Sequence, residues 1–204
     1  MELRAYVYLD RMQPQFAAYV GANSRGYIPV SGMASILVEI SPGVLINRVT
    51  DACVKAANIR PGMMVVERYF GVLEFHSQAE ADVKQAGDAA LKVLGITIED
   101  RVKPKILSSQ IIHKVNAYHA QMVNISRLVS MLLPDQDLYI LEVEPAAYIT
   151  LAANEAEKNS QITLVDCRAI GAVGRLYLGG KKGDIERAAS AAEVAIEAIT
   201  GKES

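Results

Sequence analysis

Apolar positions in this chain change spacing from one short run to the next, and the same succession of runs occurs twice. "ELRAYVYLD" and "KILSSQIIH" read as strands, and "MASILVEIS" and "DLYILEVE" are short runs rich in β-forming residues, each closed by a proline. After Pro42, the residues Val44, Ile46, Val49, Cys53, Val54 and Ala57 recur at helical spacing; after Pro145, Ala147, Leu151, Ala152, Ala156 and Asn159 do the same. Proline suits a helix start because its missing N–H has no partner to lose there. "MMVVERYFGVLEF" and "ITLVDCRAIGAVGRLYLGG" then read as strand pairs, each broken by a glycine, Gly71 or Gly174, where a hairpin is expected. Closing helices are expected from "SQAE", with Ser77 capping and Glu80 reaching back, and from "GDIERA", with Asp184 as N-cap. The order reads β, short helix or loop, β, β, α, β, β, α in each half, an α+β sheet covered by helices.

The two series are in register without a gap. Pro42 matches Pro145 at an offset of 103, and the same offset carries Ala17 to Ala120, Glu39 to Glu142, Ile46 to Ile149, Lys55 to Lys158, Gly71 to Gly174 and Ala86 to Ala189. The offset is close to half of the 204 residues, so the chain reads as a tandem duplication, 1–102 and 103–204, with its boundary near "RVKPK".

Composition narrows the function. With 51% hydrophobic residues the chain can build a substantial core, and a net charge of −2 spread without blocks leaves no nucleic-acid footprint. The apolar runs fall far short of the roughly 20 residues that span a bilayer, and "MELRAYVYLD" has no secretory pattern, so a soluble cytosolic protein is expected, with no membrane partner. Cys53 and Cys167 stand apart in aliphatic surroundings and read as buried hydrophobes.

Catalytic chemistry is not recommended. "YLGGKKGD" lacks the phosphate-loop order and reads as a turn before a helix, and His76, His113 and His119 have no partner at ligand spacing, so no metal or cofactor is expected. Glu142 and Glu144 face one way on a strand and read as a solvated sheet edge, and no nucleophile motif is present. What stands out is "VVERYFG", with Glu67 and Arg68 at an expected hairpin tip. The matched positions Ile170 and Gly171 are uncharged, so the two tips have diverged.

Taken together, "ELRAYVYLDRMQPQFAAYVG", "VEISPG", "RPGMMVVERYFG", "KPKILSSQII", "AQMVN", "LYILEVEPAAYITLAANEAEKNSQI" and "AIGAVGRLYLGG" resemble bacterial microcompartment shell proteins of the tandem-domain trimer class, and within it the carboxysome members. The resemblance implies two circularly permuted microcompartment domains, each a four-stranded antiparallel sheet flanked by helices. It implies a homotrimer forming a pseudohexagonal tile beside other shell proteins, single or stacked in pairs, in a shell crossed by phosphorylated metabolites such as ribulose bisphosphate and 3-phosphoglycerate. By that resemblance Glu67 and Arg68 gate a central pore, Tyr69, Ile170, Gly171 and Ala172 line it, and Lys55 and Lys158 lie on tile edges. A catabolic compartment, or a soluble sensor of small metabolites, is the competing reading. One departure is "VNISRLVSML", which keeps Asn124 but replaces several arginines of the family, so the surface there is expected to differ.

Overall fold

The computed structural model describes residues 1–203, which form two compact units: Met1–Pro104 with the segment from Thr200, and Lys105–Ile199. In the first unit β1 (Glu2–Leu9), α1 (Pro14–Asn23), β2 (Ala34–Ser41), α2 (Ile46–Ala56), β3 (Arg60–Glu67), β4 (Phe70–Ser77) and α3 (Glu80–Leu94) follow one another. The second unit repeats the series as β5 (Lys105–Ile112), α4 (Ala117–Ile125), β6 (Asp137–Glu144), α5 (Ile149–Asn159), β7 (Thr163–Arg168), β8 (Gly174–Gly180) and α6 (Lys182–Glu197). The sheets are antiparallel, with strand orders β1-β2-β4-β3 and β5-β6-β8-β7.

Each sheet thus has four strands, as the resemblance implies, and one fewer than the element order read from residue spacing alone. A single strand lies between the short helix and the next one, because the segment before it, with Pro29 and Gly32 at φ 91°, has no strand conformation. Sheet irregularities keep the duplication offset. The register shifts between Leu3 and Ala5 and between Ile106 and Ser108, and again between Pro61 and Met63 and between Leu164 and Asp166.

In the first unit one sheet face, carrying Ile36, Val38, Ile40, Leu73 and Phe75, packs on Ile46, Val49 and Cys53 of α2 and Val83, Ala86 and Ala90 of α3. The helical stripe expected after Pro42 holds for these residues. Val44 and Val54, assigned to it as well, are exposed, as is Asn159 in the second unit. β2 is buried at odd and even positions alike, so both of its faces are covered. α1 packs on β3 and buries Phe16, Tyr19 and Val20.

Three local expectations change. α3 starts after Ala79, not at Ser77; the Ser77 hydroxyl accepts from the Ala79 N–H, and Glu80 reaches Tyr8 Oη (2.6 Å) and Lys84 Nζ (2.5 Å) rather than back to a cap. Lys181 is the N-cap of α6, and Asp184 sits in its first turn, paired with Arg187. Rather than running to the chain end, the second unit stops at Ile199. The following segment joins the first unit, with the Lys202 N–H donating to Arg101 O and the Lys103 N–H to Lys202 O (2.8 Å each). Among the described residues no helix is long and apolar enough to cross a membrane.

Gly71 and Gly174 are not turn residues. They stand in β4 and β8 where the turn preceding α2 or α5 lies directly on the strand: a Cβ on Gly71 would overlap Gly43 O and lie 2.8 Å from Ile46 Cβ, and one on Gly174 would overlap Ala146 O and lie 2.8 Å from Ile149 Cβ. Gly71→Ala is expected to destabilise the fold by about 1–3 kcal/mol in urea unfolding, the usual range for overpacking. An unchanged midpoint would contradict the contact.

Candidate functional site at the hairpin tips

β3 ends at Glu67 and β4 begins at Phe70, the two residues facing each other in the ladder, so Arg68 and Tyr69 form a two-residue turn. Such turns match strand twist when the backbone goes left-handed, which favours Gly or Asn. Here the left-handed residue is Arg68, at φ 50°. The matched position in the second unit is Gly171, at φ 115°. A non-glycine residue in this region costs on the order of 1–3 kcal/mol, so an arginine side chain is held where the backbone would be more relaxed without one.

The tip is exposed. The Arg68 and Glu67 side chains are 85% and 49% accessible, with Arg68 Nε 3.7 Å from Glu67 Oε1. An exposed pair of this length is worth about 0–1 kcal/mol, so either group exchanges partners at little cost. Tyr69 is exposed beside them, but its carbonyl accepts from the Gly43 N–H at 2.8 Å, tying the turn to the start of the α2 region.

The root of the tip is rigid by contrast. The Arg4 guanidinium lies 4.0 Å from the centre of the Phe70 ring, and its Nε is 2.7 Å from Oε1 of the wholly buried Glu39. The sequence presented Glu39 only as one half of the Glu39–Glu142 match. Its partner escaped notice because Arg4 sits at the sheet irregularity of the neighbouring strand, 35 residues away. The signal available was an acid inside the apolar run "ILVEIS". In the second unit Glu142 keeps a guanidinium but takes it from the other side, Arg175 of β8, at 2.5 Å. Glu142 therefore lies on an inner strand, not on the sheet edge expected, because β8 pairs with β6.

The second tip, between β7 and β8, contains Ile170, Gly171 and Ala172; the first two are half-buried and Ala172 is exposed. Glu67, Arg68 and Tyr69 thus share one tip and Ile170, Gly171 and Ala172 the other. Lys55 and Lys158 occupy the last turns of α2 and α5, each beside an acid of the preceding turn, Asp51 at 2.7 Å and Glu155 at 3.5 Å.

Two histidines have carboxylate partners that do not lie at helical spacing in the chain. His76 Nδ1 is 3.1 Å from Glu74 Oε1 on the same strand, with the Ser35 hydroxyl donating to Glu74 at 2.6 Å, and His113 Nδ1 is 2.6 Å from Asp137. His119 lies on α4. Among the described residues no group of three or more His, Cys, Asp or Glu side chains is arranged to hold a metal ion.

A family model, the CsoS1D N-terminal domain, matches residues 3–100. The chain is 49% identical to the carboxysome shell protein CcmP of Synechococcus elongatus, over 100% of this chain and 95% of that protein. It is 44% identical to the carboxysome shell protein CsoS1D of Hydrogenovibrio crunogenus, over 98% of each. Among solved structures, a double ringed trimeric shell protein from the RMM microcompartment is similar at TM-score 0.96 and 40% identity, covering 100% of this chain and 99% of that one. A fused permuted hexameric shell protein of the same compartment is similar at TM-score 0.94 and 43% identity, covering 98% and 100%.

The two guanidinium–glutamate pairs should differ in weight. Arg4→Met removes the partner of a buried carboxylate and is expected to cost about 3–5 kcal/mol. Arg175→Met, at a half-exposed pair, should cost less than about 1 kcal/mol in the same urea titration. Equal losses would contradict the assignment of Arg4–Glu39 as the buried anchor.

Proposed function

This chain belongs to the carboxysome shell proteins, and on that premise we propose that it is a noncatalytic shell tile whose central pore is gated by Glu67 and Arg68. Its units are tandem circularly permuted microcompartment domains. Three chains close around a common axis, giving six similar units per ring, and two rings stack face to face, in line with the double ringed trimeric neighbour. Lys55 and Lys158, exposed on matched helices, then recur around the rim and meet neighbouring shell proteins.

The observation that carries the reading is Arg68 at a left-handed turn position where its counterpart is glycine. Cyclic symmetry brings three such tips to one axis. Like charges about 4 Å apart repel by about 4 kcal/mol at an effective dielectric near 20, so three arginines and three glutamates can crowd together only if interleaved. Each Arg68 then takes a neighbouring chain's Glu67 and the ring of pairs closes the hole. In the open state the same groups fall back on their own chain or on water. Exposed pairs are worth about 0–1 kcal/mol each, so three of them separate the two states by roughly 0–3 kcal/mol, a gap that a charged solute can tip.

The side chains at Gly171 and Ala172 are too small to obstruct that swing, while Tyr69 and Ile170 contribute to the lining. An opening edged by three guanidinium groups suits phosphorylated solutes, ribulose bisphosphate inward and 3-phosphoglycerate outward. The double variant Glu67→Ala/Arg68→Ala is expected to keep the assembled mass of the wild type and to show an open axis in cryo-electron microscopy. A closed axis in the double variant would contradict the gate.

A further inference from the structure

α4 and α1 are matched helices that turn the same side inward, with Ala17 and Ala120 both buried, but α4 leaves exposed what α1 covers. In α1, Phe16 and Tyr19 are wholly buried, their ring centroids 5.8 Å apart. The matched residues of α4 are His119 and Met122, both exposed. Tyr118, Met122 and Ile125 repeat at i, i+4 and i+7 on one side of α4 and are 81%, 66% and 73% accessible, where α1 has Gln15, Tyr19 and Ala22. The loop after α4 adds exposed Met131 and Leu133, and the matched loop of the first unit exposes Ile28 and Val30 at the same offset. The loop part of the patch is thus common to both units, whereas the apolar side of α4 belongs to the second unit alone and calls for a cover.

The surface is hollow as well as protruding. On one side of α4 a cavity of about 390 Å³ is lined among others by Gln121, Ile125, Arg127, Met131, Leu133 and Pro134; on the other, one of about 320 Å³ is lined among others by His119, Met122, Val123, Ile140, Asp166 and Tyr177. The loop is held in shape, since the Asn124 side chain both donates to Leu132 O and accepts from the Leu132 N–H, each at 2.8 Å. α4 contains no Asp, Glu, Lys or Arg, and the first cation after it, Arg127, turns back to donate to Asn124 O at 2.6 Å.

We infer that the outer side of α4, with the loop after it, is the surface on which the α4 of a second copy of this chain seats when two rings stack. The inference rests on the stacked reading above. A ring closes through contacts between unlike surfaces, whereas two rings facing each other across a twofold axis meet through the same surface. That surface must tolerate its own image. A helix side without Asp, Glu, Lys or Arg does so with little repulsion, and apolar knobs beside hollows supply both halves of the fit. Because only the second unit exposes an apolar helix side, the stack is keyed to the threefold symmetry of the chains, not the sixfold pseudosymmetry of the units.

Opposite charges placed on the self-facing surface test it. Light scattering coupled to size exclusion should give the wild type six times 22.1 kDa, and Met122→Glu and Met122→Lys alone three times 22.1 kDa. An equimolar mixture of the two variants should return to the six-chain mass, which a merely damaged fold could not do. Variants that stay at six chains, a mixture that stays at three, or variants that fall to single chains would each overturn the assignment. A wild type of three chains would overturn the stacked reading itself and this inference with it.

Discussion

The backbone-to-backbone contact at Gly71 sets what the rest of the first unit can do. With no side chain there, the turn before α2 lies on β4, and Gly43 comes within hydrogen-bond distance of Tyr69. That contact, with Arg4 pinned between Phe70 and Glu39, anchors the base of a hairpin whose end is otherwise free. A rigid root and a loose charged tip are what a two-position gate requires. The second unit retains the contact through Gly174 and Ala146, so both tips are founded on the same geometry while ending in different chemistry.

Duplication separates what the backbone demands from what the surface is used for. The close approach at Gly71 and Gly174, the shifts of sheet register, and the positive φ at Arg68 and Gly171 and at Gly32 and Asp135 recur in both units. Side chains free of those backbone demands have drifted: Arg68 against Gly171, Tyr19 against Met122, and the arginine partner of Glu39 and Glu142 drawn from opposite neighbouring strands. The matched glutamates are kept because each lies within a strand of the sheet and needs a cation, from whichever side one is supplied.

This division explains what could be read from the residues alone. The repeat, the strands and the helices were legible because apolar spacing and ungapped matches are written directly along the chain. The turn at Arg68–Tyr69 was displaced to Gly71 because arginine carries no turn signal, and the glycine there answers to a contact with Gly43 rather than to a bend. The cap at Ser77 failed because the Tyr8 hydroxyl and Lys84 engage Glu80. Arg4–Glu39, Ser35–Glu74–His76 and the exposed side of α4 all depend on residues that only the tertiary fold brings together. Glu67 and Arg68 were legible as a pair, but the left-handed backbone that sets Arg68 apart was not.

The central claim is that three β3–β4 tips meet on one axis. Cys53 and Cys167 are buried, and burial pushes the Cys53 thiol up to about 12, so a cysteine placed at Tyr69 would be the reactive one. Treating the Tyr69→Cys assembly with a short trifunctional maleimide and weighing the denatured product tests the claim most directly. A covalent three-chain product is predicted. Single chains or two-chain products alone would mean that the tips do not converge, and the gate would have no axis to close.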